Sequence, residues 1–296
     1  MDLVYPYRSA PFDFELRYSL RSLVNLPHDR VIIAGDRPQI ASDRVTCIDA
    51  PRHQDRYQSS AANILAGCEA SDADQVVVMN DDMFILRPWS FRHENRGTIA
   101  GYLASGRASG RYRAALEATR DILAVEGISD PLFFGLHTPT VYDRRALMDL
   151  IREYQGRGIL LRTLYHNLHP KPSVRAEDVK LHRFPSYRPP AVGDALSISD
   201  EVASQPAFRR WIAERFPERC DYERQGRCLI LGYGESLWDD LAAHWGSYDA
   251  VIASPEAAEH WPGPLLAVAN DDGHARMLAE GYGFEDVVIC GATEAA

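Results

Sequence analysis

The chain has 296 residues, with 32 basic and 42 acidic side chains and a formal net charge of −10. Hydrophobic residues make up 46% and charged residues 25%, which suits one large or two smaller globular domains and excludes a disordered or collagen-like chain. The charge is uneven: residues 226–296 hold 12 acidic side chains against Arg227 and Arg276, so that stretch alone accounts for −10 and residues 1–225 are neutral. An acidic average therefore does not argue against an anionic ligand on the first three quarters of the chain.

In chain order, residues 3–7 read as a first strand. Residues 14–26 follow with helical spacing of Phe14, Leu16, Leu20, Leu23 and Val24, stopped by Pro27. Residues 30–35 and 45–48 read as strands. Ser59 or Ser60 is a candidate cap for a helix to about Ala70. Residues 75–79 form a strand that is continuously apolar after Gln75 and stops at Asn80-Asp81-Asp82. Apolar strands alternating with helices predict a mostly parallel sheet covered on both faces, with ligands beyond the carboxyl ends of the strands. Arg8, Asp36 and Asn80-Asp81-Asp82 sit at such ends.

The middle is less regular. Residues 84–120 carry seven arginines against Glu94 and Glu117, with Trp89, Phe91, Tyr102 and Tyr112 interspersed. Such a stretch suits a glycan, a phosphorylated acceptor or a nucleic acid such as DNA, but docking onto the acidic tail is the more economical explanation. Helices are expected at residues 112–125 and 143–154, a strand at 132–137, an extended loop at 170–190 and a helical stretch at 199–216. After Cys220 the pattern restarts. Strands at 228–232, 249–253, 265–269 and 286–289 alternate with helices at 236–244, 255–260 and 273–281. This gives a domain over residues 1–220 and a small acidic, Rossmann-like α/β unit over 226–296. Gly232-Tyr233-Gly234-Glu235 is half of a dinucleotide fingerprint, but Leu237 takes the third glycine position, which argues against a nicotinamide or flavin.

Five scattered cysteines form no CxxC pair, and no apolar run approaches the roughly 20 residues of a membrane span. Met1-Asp2-Leu3 lacks a basic leader region, so a soluble, cytoplasmic protein is expected.

The strongest chemical signal is the pair Asp81 and Asp82 at a strand end. Adjacent carboxylates there repel each other, and a divalent cation relieves the cost by bridging them to phosphate oxygens. A solvated turn or a helix cap is the plain alternative. His182, within Lys180-Leu181-His182-Arg183, is the third candidate metal ligand. Lys180, Arg183 and Arg188 are candidate phosphate partners. His137 is a candidate general base, with a structural histidine as the alternative. Arg17 and Arg21 lie one helical turn apart and are candidates to reach the ligand edge or to form surface pairs.

Two stretches carry a family resemblance. Phe14-Glu15-Leu16-Arg17-Tyr18-Ser19-Leu20-Arg21-Ser22-Leu23 resembles the early helix of the Stealth-type sugar-phosphate transferases. Asn80-Asp81-Asp82-Met83-Phe84 resembles their central acidic motif, and His137-Thr138-Pro139 is similar to their later histidine block. Residues 2–190 as a whole look like a GT-A nucleotide-sugar transferase, although VYPYRS stands where family members often carry Val-Asp-Gly. The resemblance implies a GT-A-like mostly parallel sheet with flanking helices. It implies Mg²⁺ or Mn²⁺ on Asp81, Asp82 and His182 against a nucleotide-sugar diphosphate. Arg8, Arg17, Asp36, Asn80 and Lys180 would contact the donor, and His137 and Asp81 would serve the chemistry. The leading expectation is a metal-dependent glycosyltransferase. Sugar-1-phosphate transfer is the alternative, followed by DNA glycosylation or non-catalytic sugar or nucleotide binding.

Overall fold

The computed structural model describes residues 1–9, 13–38, 40–185, 193–224, 227–232, 250–260, 267–269, 272–281 and 286–290. The chain divides into two compact units, one of Met1–Ser9, Tyr18–Arg37 and Val45–Arg219, the other of Ala10–Arg17, Pro38–Arg44 and Cys220–Ala296.

In chain order the first part runs β1 (Asp2–Tyr7), α1 (Phe14–Ser22), β2 (Val31–Gly35), β3 (Val45–Asp49), α2 (Arg56–Glu69), β4 (Gln75–Val78) and β5 (Met83–Ile85). It continues through β6 (Glu94–Asn95), α3 (Ile99–Ala104), α4 (Gly110–Val125), β7 (Thr140–Asp143), α5 (Arg144–Glu153) and α6 (Leu161–Leu168). Then come β8 (Val174–Arg175), β9 (Lys180–Leu181), β10 (Ala195–Ile198), α7 (Asp200–Ala203) and α8 (Pro206–Arg215).

The main sheet has the order β3-β2-β1-β4-β7. β1 pairs in parallel with β2 and β4, β2 in parallel with β3, and β7 runs antiparallel to β4. Leu3, Val4, Val31, Ile32, Val76 and Val77 are fully buried, as strands covered on both faces should be. The close approach of α2 to the sheet depends on Gly67, where a Cβ would meet Val4 Cγ1 at 2.4 Å. The expected Ser59 or Ser60 cap is replaced by Asp55, whose carboxylate accepts from the backbone N–H of Tyr57 and Gln58, so α2 begins a turn early. Ser59 instead bonds His53.

A second, three-stranded sheet has the order β5-β10-β9, with β5 antiparallel and β9 parallel to β10. Its register places Ser197 opposite both Met83 and Lys180. This brings the acidic motif beside a lysine almost 100 positions away in sequence. β6 and β8 form a separate parallel pair. The loop expected at 170–190 thus contributes two short strands, β8 and β9.

The strand expected at 132–137 is not formed. Only Leu132 makes a bridge, to Thr98, and the neighbouring N–H groups go elsewhere: Phe133 to the Gly97 carbonyl at 2.8 Å and Phe134 to Thr163 Oγ1 at 3.2 Å. The backbone is satisfied without a ladder, and His137 leaves it on an irregular segment.

In the other unit, β11 (Arg227–Leu231), β12 (Ala250–Ala253), α9 (Pro255–His260), β13 (Ala267–Val268), α10 (Asp272–Gly281) and β14 (Asp286–Cys290) lie where strands and helices are expected. The described pairings are all parallel, in the order β13-β12-β11-β14, around Cys228, Ile230, Ile252 and Leu278. The segment around Ala41 joins this unit through a bridge to Glu223 and a Ser42 N–H bond to the Tyr222 carbonyl at 3.0 Å. Arg188, Tyr233 to Glu235 and the helix expected at 236–244 lie outside the described residues. Among the described residues no helix is long and apolar enough to cross a membrane.

Candidate functional site

A cavity of about 860 Å³ opens in the larger unit where β4 ends and α2, the irregular segment before β7, α6 and β9 converge. Asn80, His137, Lys180 and His182, four of the residues expected from sequence, line it together. Arg56, Arg96, Arg107 and Arg162 also line it, against the carboxylates Glu177 and Asp178. Cations thus outnumber carboxylates at the wall, and the cavity favours an anionic ligand.

His137 is held by Asp178 through two groups. Its backbone N–H donates to Asp178 Oδ1 at 3.0 Å, and ring Nδ1 lies 2.9 and 3.1 Å from the two carboxylate oxygens. Arg96 donates to the same carboxylate at 3.2 Å. Burial raises the Asp178 pKa, but the bonds from His137 and the charge of Arg96 outweigh it and hold the carboxyl below its ordinary range. An ionised carboxylate only accepts. Nδ1 therefore donates, and in the neutral ring the free lone pair is on Nε2.

Arg162 brackets the same segment. It donates to the carbonyls of Leu136 at 2.6 Å and Thr138 at 2.8 Å, on either side of His137, and to Thr138 Oγ1 at 3.1 Å. Burial lowers its pKa, and its bonds go to neutral oxygens only.

The acidic motif is arranged differently from the expectation. Asn80 to Met83 form a turn closed by Met83 N–H to the Asn80 carbonyl at 3.2 Å, and Asp81 lies within it. Asp82 Oδ2 accepts from Lys180 Nζ at 2.7 Å and Ser197 Oγ at 3.0 Å. Its other oxygen, Oδ1, is buried without a hydrogen-bond partner. Neither aspartate lines the cavity, whereas Lys180 does. Among the described residues no three His, Cys, Asp or Glu side chains are grouped as a metal would require, so Asp81, Asp82 and His182 are not brought together as a ligand set. With one oxygen of Asp82 taken by an ammonium and a hydroxyl and the other buried, this donor set does not fit a hydrated divalent ion.

The remaining expected contacts lie elsewhere. Arg8 is exposed. Asp36 accepts from Arg52 at 2.5 and 3.0 Å and from the Ser9 N–H at 2.9 Å, and the Arg52 bond leads in lowering its pKa. Arg17 belongs to the smaller unit and faces the buried Glu223 at 3.9 Å. Arg21 donates to the carbonyls of Phe216 and Pro217. Of the arginines between residues 84 and 120, Arg87, Arg96, Arg113 and Arg120 each pair with a carboxylate of the larger unit, which leaves a weaker basic stripe than the composition implies.

Asp178 and Arg162 escaped the sequence reading. Asp178 had one signal, the pair Glu177-Asp178 just before Lys180 in a stretch that also holds Lys171, Arg175 and Arg183. Arg162 had none, since it sits on a helix whose relation to His137 is purely tertiary.

No protein-family model matches the chain. No curated protein matches it either. Distant structural likenesses exist. A 2-C-methyl-D-erythritol 4-phosphate cytidylyltransferase from Thermus thermophilus has 12% identity and a TM-score of 0.37, over 73% of this chain and 98% of that one. The galactosyltransferase LgtC, in complex with donor and acceptor sugar analogs, has 12% identity and a TM-score of 0.41, over 75% and 98%. The apo-form glycosyltransferase GlyE of Streptococcus pneumoniae TIGR4 has 10% identity and a TM-score of 0.35, over 100% and 92%.

Proposed function

We propose that the larger unit is a GT-A-like glycosyltransferase that takes a nucleotide-sugar donor in the His137 cavity. One observation carries the reading: a histidine–carboxylate pair with its basic nitrogen left over, on the wall of a cavity dominated by cations. The cations suit a diphosphate. The pair suits removal of a proton from an acceptor hydroxyl. In the step, the acceptor oxygen bonds to the sugar carbon as its proton passes to His137 Nε2. The carbon–oxygen bond to the diphosphate breaks, and the nucleoside diphosphate leaves with the electron pair. Arg96, Arg107, Arg162 and Lys180 offset the charge developing on the leaving group. The resemblance of residues 2–190 as a whole to the GT-A nucleotide-sugar transferases supports the same reading. No step is routed through a divalent ion, because the donor set at Asp82 does not fit one.

A second reading is favoured by the Phe14 to Leu23 resemblance: sugar-1-phosphate transfer, in which the acceptor oxygen attacks phosphorus instead of carbon. The same base would serve. The test is a panel of nucleotide sugars with hydroxyl acceptors, read by mass spectrometry. Release of nucleoside diphosphate supports glycosyl transfer. Release of monophosphate supports the second reading. Turnover unaffected by His137→Ala would defeat both.

A further inference from the structure

We infer that Lys180 is a built-in counter-cation of the cavity, held by Asp82, and that it meets a phosphate-bearing ligand without a divalent ion on the acidic motif. This rests on the anionic-donor reading above. Three strands fix the arrangement. Lys180 on β9 and Met83 on β5 are both register partners of Ser197 on β10, and Asp82 directly precedes Met83. The ammonium and the Ser197 hydroxyl share Asp82 Oδ2, at 2.7 and 3.0 Å. Lys180 reaches the cavity wall and Asp82 does not, so the charge presented to a ligand is the ammonium.

A divalent ion has no good place on Asp82. On Oδ2 it would sit under about 5 Å from the ammonium, because both would bind one oxygen at contact distances of about 2 and 2.7 Å. Two cations that close repel strongly in a partly buried setting. Oδ1 is buried, whereas Mg²⁺ keeps several of its waters. An ammonium carries three donors. One is directed at Asp82, which leaves the others for phosphate oxygens. Asp82 is therefore a positioning residue that aims a lysine.

Inorganic pyrophosphate is the probe, measured by calorimetry on the full chain in EDTA and again with Mg²⁺ or Mn²⁺. Uptake of Mn²⁺ alone is followed by electron paramagnetic resonance. Lys180→Met by itself would leave a buried unpaired carboxylate and endanger folding. The informative variant is Lys180→Met with Asp82→Asn, which removes both charges together, and Lys180→Arg is the conservative rescue. The expected result is pyrophosphate binding in EDTA, weakened about ten- to hundredfold in the double variant and largely kept in Lys180→Arg. Binding that requires Mg²⁺ or Mn²⁺ overturns the inference alone. So does Mn²⁺ uptake that Asp82→Asn abolishes, or a double variant that binds as tightly as the parent. Absence of pyrophosphate binding under every condition overturns the anionic-cavity reading, and this inference with it.

Discussion

Asp178 is the point on which the site turns, and removing it separates its structural and chemical roles. Asp178→Ala deletes the acceptor for the backbone and ring nitrogens of His137 and for Arg96. Arg96 and Asp178 retain only 13% and 15% of their side-chain exposure, so the pair is poorly screened. At 3.2 Å and an effective dielectric of about 20, their gross attraction is about 5 kcal/mol. Desolvation takes back part of this, but truncating one partner leaves the other charge stranded, and the expected loss is about 2–4 kcal/mol. Asp178→Asn keeps the shape and one acceptor oxygen, so it should cost only about 1–2 kcal/mol. It loses the ionised acceptor that fixes the Nδ1–H tautomer, so turnover should fall by about 10²-fold or more. Urea denaturation followed by circular dichroism gives the stabilities. The sign with pH also follows. The folded-state pKa lies below the ordinary 3.8, so the contribution is complete above that value and is lost as pH falls through the folded pKa. The gap between parent and Asp178→Ala should close in acid. A loss under about 1 kcal/mol for the alanine variant at neutral pH, or equal stability loss for alanine and asparagine, would refute the reasoning.

Three further outcomes are expected. Gly35→Ala should destabilise by at least about 2 kcal/mol in the same denaturation assay, because φ is 124° and a Cβ would lie 2.1 Å from the Tyr7 carbonyl oxygen. Thr119→Val should cost about 1–3 kcal/mol, since the buried Thr119 Oγ1 accepts from the Leu160 N–H at 2.9 Å and donates to the Ala115 carbonyl at 2.7 Å. His166 is buried among Phe134, Tyr142 and Tyr165, and burial leads in pushing its pKa down to about 3. Its contribution is complete above the ordinary 6.5 and is lost as pH falls toward 3, with a slope of about 1.4 kcal/mol per pH unit. Stability measured across that window should flatten in His166→Phe.

The main sheet was legible because β1, β2 and β4 are continuous apolar runs ended by polar residues. β7 and its antiparallel placing were not, since a four-residue strand and the strand order leave little local pattern. Leu132 to His137 misled for a related reason. Apolar runs signal burial, and here Phe133 and Phe134 are buried while their N–H groups bond to Gly97 and Thr163. In the site, Asn80 at a strand end and Lys180 and His182 in a basic stretch were singled out from sequence and line one cavity, whereas His137 was singled out at the end of a strand that does not form. The role of Asp82 was not, because its partner Lys180 arrives through the register of β10, a strand that sequence reading missed. Arg8, Asp36 and Arg17 carried the right residue types at plausible positions, but exposure, Arg52 and Glu223 decide what they face.

The most direct measurement is a crystal structure of the full chain with a nucleoside diphosphate. The diphosphate is expected beside Lys180 in the cavity of the larger unit, with His137 Nε2 facing open space for an acceptor. A diphosphate bound away from Lys180 and His137 would contradict it.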